Sequence, residues 1–142
     1  MGFFLYLTPI GNNIMNDLAK ARFDIRENVG LCSNHNIFGY ADKPKKFIIC
    51  TKNIKSSGYD VRFYLNETVY HEATHAAQNC KGGNSLIGIP KSKMPLSSNK
   101  LQDIRNSMQL TGNYRVQMRE HEAYFLEDKP EKVRYYLKKF CF

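Results

Sequence analysis

The sequence predicts an α+β fold, mostly helical, with a small β-sheet ahead of its longest helix. Apolar residues recur at helical spacing in several separate stretches, and two short runs rich in β-branched and aromatic residues flank a turn signal. There is no repeat period and no low-complexity tract, so the elements follow one another as a simple series. With 142 residues, 42% hydrophobic and 24% charged, the chain suffices for one compact core over residues 1–142 but not for two ordinary domains.

Ile14, Leu18, Ala21 and Ile25 fall on one face of an amphipathic helix whose cap is expected at Asn12 or Asn13. Ile37 to Ala41 and Phe47 to Thr51 read as two short strands joined by the turn at Asp42-Lys43-Pro44. Asn53 to Gly58 is polar and loop-like. Asp60 is a suitable N-cap for a long helix that Gly82-Gly83 would stop, with Val61, Leu65, Val69, Ala73, Ala76 and Cys80 as its buried stripe. From Lys81 to Ser98, Gly, Ser, Pro and Lys without periodicity predict a loop beside whatever that helix carries. Leu101, Ile104 and Met108 mark a further helix ending near Gly112. Another runs from about Tyr114 to Asp128, where Pro130 interrupts it, and a last short one holds Val133, Leu137 and Phe140.

Composition excludes several classes of function. No apolar run approaches the roughly 20 residues of a membrane-spanning helix. Met1 to Ile10 has neither the basic start nor the long apolar stretch of a secretory signal, so a soluble, intracellular protein is expected. The formal charge of +8, with Lys43, Lys45, Lys46, Lys52 and Lys55 crowded together, allows contact with a polyanion, although no nucleic-acid module accompanies it. Cys32, Cys50, Cys80 and Cys141 form no CxxC pair, which argues against a zinc ribbon or a thioredoxin-type site. They are open to pairing as disulfides, Cys80 with Cys141 in particular, or to remaining buried thiols.

The chemistry is concentrated in His71-Glu72-Ala73-Thr74-His75, an HExxH inside the long helix. Residues four apart stack on one helix face, so the two imidazoles can share one ion, while Glu72 beside them is placed to act as general base. With four His in the chain, chance alone predicts roughly 0.005 such matches, and an amphipathic capped helix is the context the motif needs. Zn2+ suits this donor set, and a catalytic zinc takes a third protein ligand. The next His is His121, with Gln78 and Lys81 where the HExxHxxGxxH pattern would have Gly and His, so a glutamate on a later helix is expected. Glu120 shares a face with Ala123, Tyr124 and Glu127, where the small Ala123 permits close approach. Glu122 lies among Met118, Phe125 and Leu126, and periodicity alone leans slightly to it.

HExxH with a glutamate on a downstream helix resembles the gluzincin metallopeptidases, in which a small residue commonly stands three positions after the liganding Glu. Glu120 with Ala123 fits that pattern. The segments FGYADKPKKFIICTKNI, LNETVYHEATHAAQNC and EHEA are more specifically similar to the family of zincins that processes and assembles mitochondrial ATP synthase, over roughly residues 32 to 125. Gln78 departs from the acidic residue that family carries after its second His, and cysteines are fewer. The resemblance implies a minimal zincin-like fold, Glu120 as third ligand with Glu122 as the alternative, and a protein or peptide substrate. It also implies that the strand at Phe47 to Thr51 or at Ile37 to Ala41 pairs with an extended peptide. Tyr124, Tyr114 and His121 are candidate donors to the tetrahedral oxyanion. His35, outside both motif helices, reads as a loop histidine. The expected activity is zinc-dependent endopeptidase hydrolysis. The alternatives are a basic nucleic-acid-binding protein with a structural zinc, or a non-catalytic zincin-fold interaction protein, against which the intact Glu72 speaks.

Overall fold

The computed structural model describes residues 2–111 and 113–142, and their side chains except those of 107–111. The expectations placed on Met108 and Gly112 lie outside the described side chains and residues. The architecture is α+β and mostly helical: α1 Pro9–Lys20, β1 Asp24–Glu27, β2 Gly39–Asp42, β3 Lys46–Ile49, α2 Thr51–Ser56, α3 Val61–Lys81, α4 Ser98–Thr111, α5 Tyr114–Leu126 and α6 Pro130–Cys141.

The first helix starts earlier than its periodicity suggested. Thr8 caps it, accepting from the Gly11 N–H at 3.0 Å, and Pro9 supplies a preset first turn. It ends at Lys20, because Arg22 takes a left-handed φ of 68° and the Arg22 and Phe23 N–H groups turn back onto Ala19 and Leu18. Ile25 therefore leaves the helical face and enters β1, a strand the sequence did not reveal. The sheet has the order β1-β3-β2, with β1 parallel and β2 antiparallel to β3. Both strands foreseen are present but shifted: β2 begins at Gly39 rather than Ile37, and β3 ends at Ile49 rather than Thr51, so Thr51 opens α2, which takes in Asn53 to Ser56 where loop had been expected.

Alternation along β3 divides the interior. Phe47 and Ile49 join the main core, while Ile48 packs with Cys32 and Cys50 on the other face. The main core gathers around α3. Asp60 caps this helix through the Phe63 N–H at 3.0 Å, and Gly82, at a φ of 135° that side chains resist, closes it. Leu65, Val69, Ala73 and Ala76 are buried along α3 against Ile14 and Leu18 of α1 and Val133 and Leu137 of α6. Each large side chain so buried contributes about 1.5–3 kcal/mol. Two disulfides brace the periphery: Cys32–Cys50 ties the turn before β2 to the end of β3, and Cys80–Cys141 joins the C-terminal ends of α3 and α6. Of the two states left open for Cys80 and Cys141, the bonded one is present. Among the described residues no helix is long and apolar enough to cross a membrane.

Candidate metal centre

Three side chains converge from two helices. His71 and His75 sit one turn apart on α3, and α5 crosses them with Glu120. α5 is set in place by Asn113, whose side-chain oxygen accepts from the Arg115 and Val116 N–H groups at 2.8 and 3.3 Å. Ala123, fully buried, gives α5 the small surface that close packing requires. Nε2 of His71 is 3.3 Å from one Glu120 carboxylate oxygen and Nε2 of His75 is 2.6 Å from the other. One ligand atom from each of the three residues falls within 4.8 Å of the other two.

The outward ring nitrogens are also engaged. His71 Nδ1 lies 2.8 Å from Glu127 Oε1, and His75 Nδ1 lies 2.7 Å from Gln78 Oε1. Each imidazole is thus held at its rear nitrogen while Nε2 faces Glu120, which is how a metal-ligating histidine is usually oriented. The donor set, two imidazoles and a carboxylate with second partners in place, could hold a metal ion.

Electrostatics bind the group together. Burial alone would lower both imidazoles. Hydrogen bonds donated to the Glu120 and Glu127 carboxylates overcome that for His71 and hold it well above the ordinary histidine value, and the charge of Glu120 raises His75 less strongly. Burial would raise Glu120, but His75 and His71 hold it well below the usual carboxylate range. Glu72 behaves differently: burial raises it, and the two imidazoles and the Ala41 N–H of β2, which bonds its carboxylate, offset only part of the rise.

These residues line an open cleft of about 810 Å³, a size suited to a short length of substrate. β2 and Phe38 form one wall, α3 the floor, and Tyr124, Val116 and Lys100 lie on the other side. Gly39 lets β2 press onto the floor: a Cβ there would lie 2.8 Å from the Ile48 carbonyl oxygen, 2.9 Å from Thr68 Cγ2 and 3.4 Å from Glu72 Cγ. Being at the sheet edge, β2 leaves one row of backbone groups unpaired by the sheet. β3, the other strand considered for peptide pairing, is central and has no free edge.

Of the three oxyanion candidates only Tyr124 lines the cleft. Its ring meets that of His71 edge-on at 4.8 Å, and burial together with the charge of Glu120 raises its phenol, so its O–H proton is retained. Tyr114 is exposed, and His121 is buried with Nε2 bound to the Met94 carbonyl oxygen at 2.8 Å. The alternative third ligand, Glu122, is corrected as well. Its carboxylate turns away from the histidines to accept from the Ile87 and Gly88 N–H groups at 2.7 and 2.8 Å, because the apolar face on which it lies packs under the loop after α3 rather than over the histidines. The lysines of the charged stretch stand off the cleft, with Lys43, Lys45 and Lys46 around the β2–β3 turn and Lys52 and Lys55 on α2.

Three contributors were not foreseen. Gln78 had registered only as a departure from a pattern, and Glu127 only as a residue sharing the Glu120 face. Lys100 of α4, whose Nζ lies 3.3 Å from Glu127 Oε2 and 3.0 Å from the Tyr124 carbonyl oxygen, carried no signal in its flanking sequence. No curated protein and no solved structure matches the sequence. A family model does match, over residues 3–142, so the chain belongs to the family described as Domain of unknown function (DUF8637).

Proposed function

We propose that this chain is a zinc-dependent metalloendopeptidase with a minimal zincin-like fold. The observation that carries the reading is the meeting of His71 Nε2, His75 Nε2 and the Glu120 carboxylate beside Glu72 on the floor of one cleft. Those three side chains would hold the ion. Zinc in such a site acts as a Lewis acid on a carbonyl oxygen and lowers the pKa of water toward about 7.

The chain's own residues supply the rest. Glu72 takes a proton from the attacking water as its oxygen bonds to the scissile carbonyl carbon, and delivers that proton to the amine as the C–N bond breaks. Burial holds the Glu72 pKa above the ordinary carboxylate value, which brings it nearer to that of a group that both accepts and returns a proton near neutrality. Tyr124, with its proton retained, donates to the oxyanion. An extended peptide adds to the free edge of β2, and its backbone hydrogen bonds set the register of cleavage.

The two disulfides support work in an oxidising compartment rather than the intracellular one expected from the amino-terminal residues. Cleavage of a quenched-fluorescent peptide library by the zinc-loaded protein tests the activity. Glu72→Gln should retain zinc and lose turnover by at least about 100-fold; equal turnover in that variant would reject the mechanism.

A further inference from the structure

Two buried polar side chains lie behind His75, outside the chemistry just described. Gln78 is fully buried one turn farther along α3, and Glu122, 1% exposed, reaches it from α5. Gln78 Nε2 donates to Glu122 Oε1 at 2.8 Å and to the Arg119 carbonyl oxygen at 3.1 Å. Glu122 Oε1 also accepts from the Ile87 N–H at 2.7 Å, and Oε2 from the Gly88 N–H at 2.8 Å.

The direction of every bond in this chain follows from its far end. A backbone N–H can only donate, so Ile87 and Gly88 require both Glu122 oxygens to be acceptors. A side-chain amide can present either its oxygen or its NH2 group. Facing the Glu122 carboxylate and the Arg119 carbonyl, Gln78 must turn its NH2 toward both. Its own oxygen is then left facing His75, where only a protonated Nδ1 completes a hydrogen bond. With Nδ1 committed as a donor, Nε2, the atom that faces Glu120, is the ring nitrogen left to bond a metal. Building on the metal-site reading above, we propose that Gln78, oriented by Glu122, is a positioning residue that fixes His75 in its Nε2-ligating form. His71 is held instead directly by the carboxylate of Glu127, so the two histidines are oriented by different means.

The test uses the full chain, one variant and two readouts. Gln78→Met keeps the volume and removes the acceptor. Zinc affinity, measured by competition with a chromophoric chelator, should fall roughly 10–100-fold in Gln78→Met. In the metal-free chain, the His75 Nδ1 proton should give a slowly exchanging signal in 1H–15N spectra of the parent and none in Gln78→Met. Absence of that signal from the parent, or unchanged affinity and an unchanged Nδ1 proton in Gln78→Met, would overturn the role of Gln78. A parent chain that takes up no zinc would instead reject the metal-site reading, and the proton signal alone would then decide whether Gln78 holds His75.

Discussion

Glu127 stands seven residues beyond Glu120 on the same face of the α5 segment, and its Oε1 lies 2.8 Å from Nδ1 of His71. One helix and its C-cap residue thus supply a carboxylate before the imidazoles and a carboxylate behind one of them. Glu127→Ala should weaken zinc binding by roughly 10–100-fold, and Glu127→Gln by less, since an amide oxygen still accepts from Nδ1–H. Chelator competition distinguishes the two; equal affinity in Glu127→Ala and the parent would show that His71 needs no such partner.

Close approach of β2 to α3 is a second dependence. Gly39→Ala introduces a Cβ within 2.8–2.9 Å of the Ile48 carbonyl oxygen and Thr68 Cγ2, so the strand must lift from the helix. A loss of about 1–3 kcal/mol in stability is expected, by denaturant titration, with a fall in kcat because Glu72 is displaced with the strand. Wild-type stability in this variant would mean that the two elements are not pressed together.

Glu67 gives the account a pH dependence. Burial, reinforced by the charge of Glu127, pushes it up to about 7 from 4.5. A carboxyl with a raised folded-state pKa binds its proton more tightly when folded, so the folded chain loses stability as pH rises from about 4.5 to about 7 and pays the full penalty above that. Glu67→Gln removes the ionisation. Its melting temperature should therefore exceed that of the parent at pH 8 and match it near pH 4.5; a constant difference across that range would show that the effect is not ionisation.

The disulfide between α3 and α6 closes a long stretch of chain. With a sequence separation of 61, Cys80–Cys141 is worth up to about 4 kcal/mol in the loop-entropy description. Cys141→Ser should lower stability toward that extent, and alkylation of the unreduced parent should modify none of the four cysteines. Full alkylation before reduction would reject both bonds.

The parts of this architecture legible in the sequence are those with strong local causes. Asp60, the apolar stripe from Leu65 to Ala76 and Gly82 bounded α3 closely, and the HExxH spacing placed His71, Glu72 and His75 on one face without tertiary information. β1 was hidden because its four residues alternate only between exposed and half-buried, and Ile25 happened to continue the spacing of the helix before it. The choice between Glu120 and Glu122 was hidden for a different reason. Both are two residues apart on a helix with apolar neighbours on each side, and only the packing of α5 against α3 and the loop at Ile87 and Gly88 decides which carboxylate meets the histidines. Gln78 and Glu127 were illegible as partners because an orienting contact is made across the fold and leaves no spacing to read.

The central claim is that His71, His75 and Glu120 hold one zinc ion, and the most direct measurement is the metal content of the purified chain by inductively coupled plasma mass spectrometry beside Glu120→Gln and Glu72→Gln. About one zinc per chain is predicted for the parent and for Glu72→Gln, with Glu120→Gln strongly depleted under the same conditions. A parent chain without zinc even after incubation with the metal, or full zinc content in Glu120→Gln, would contradict the account.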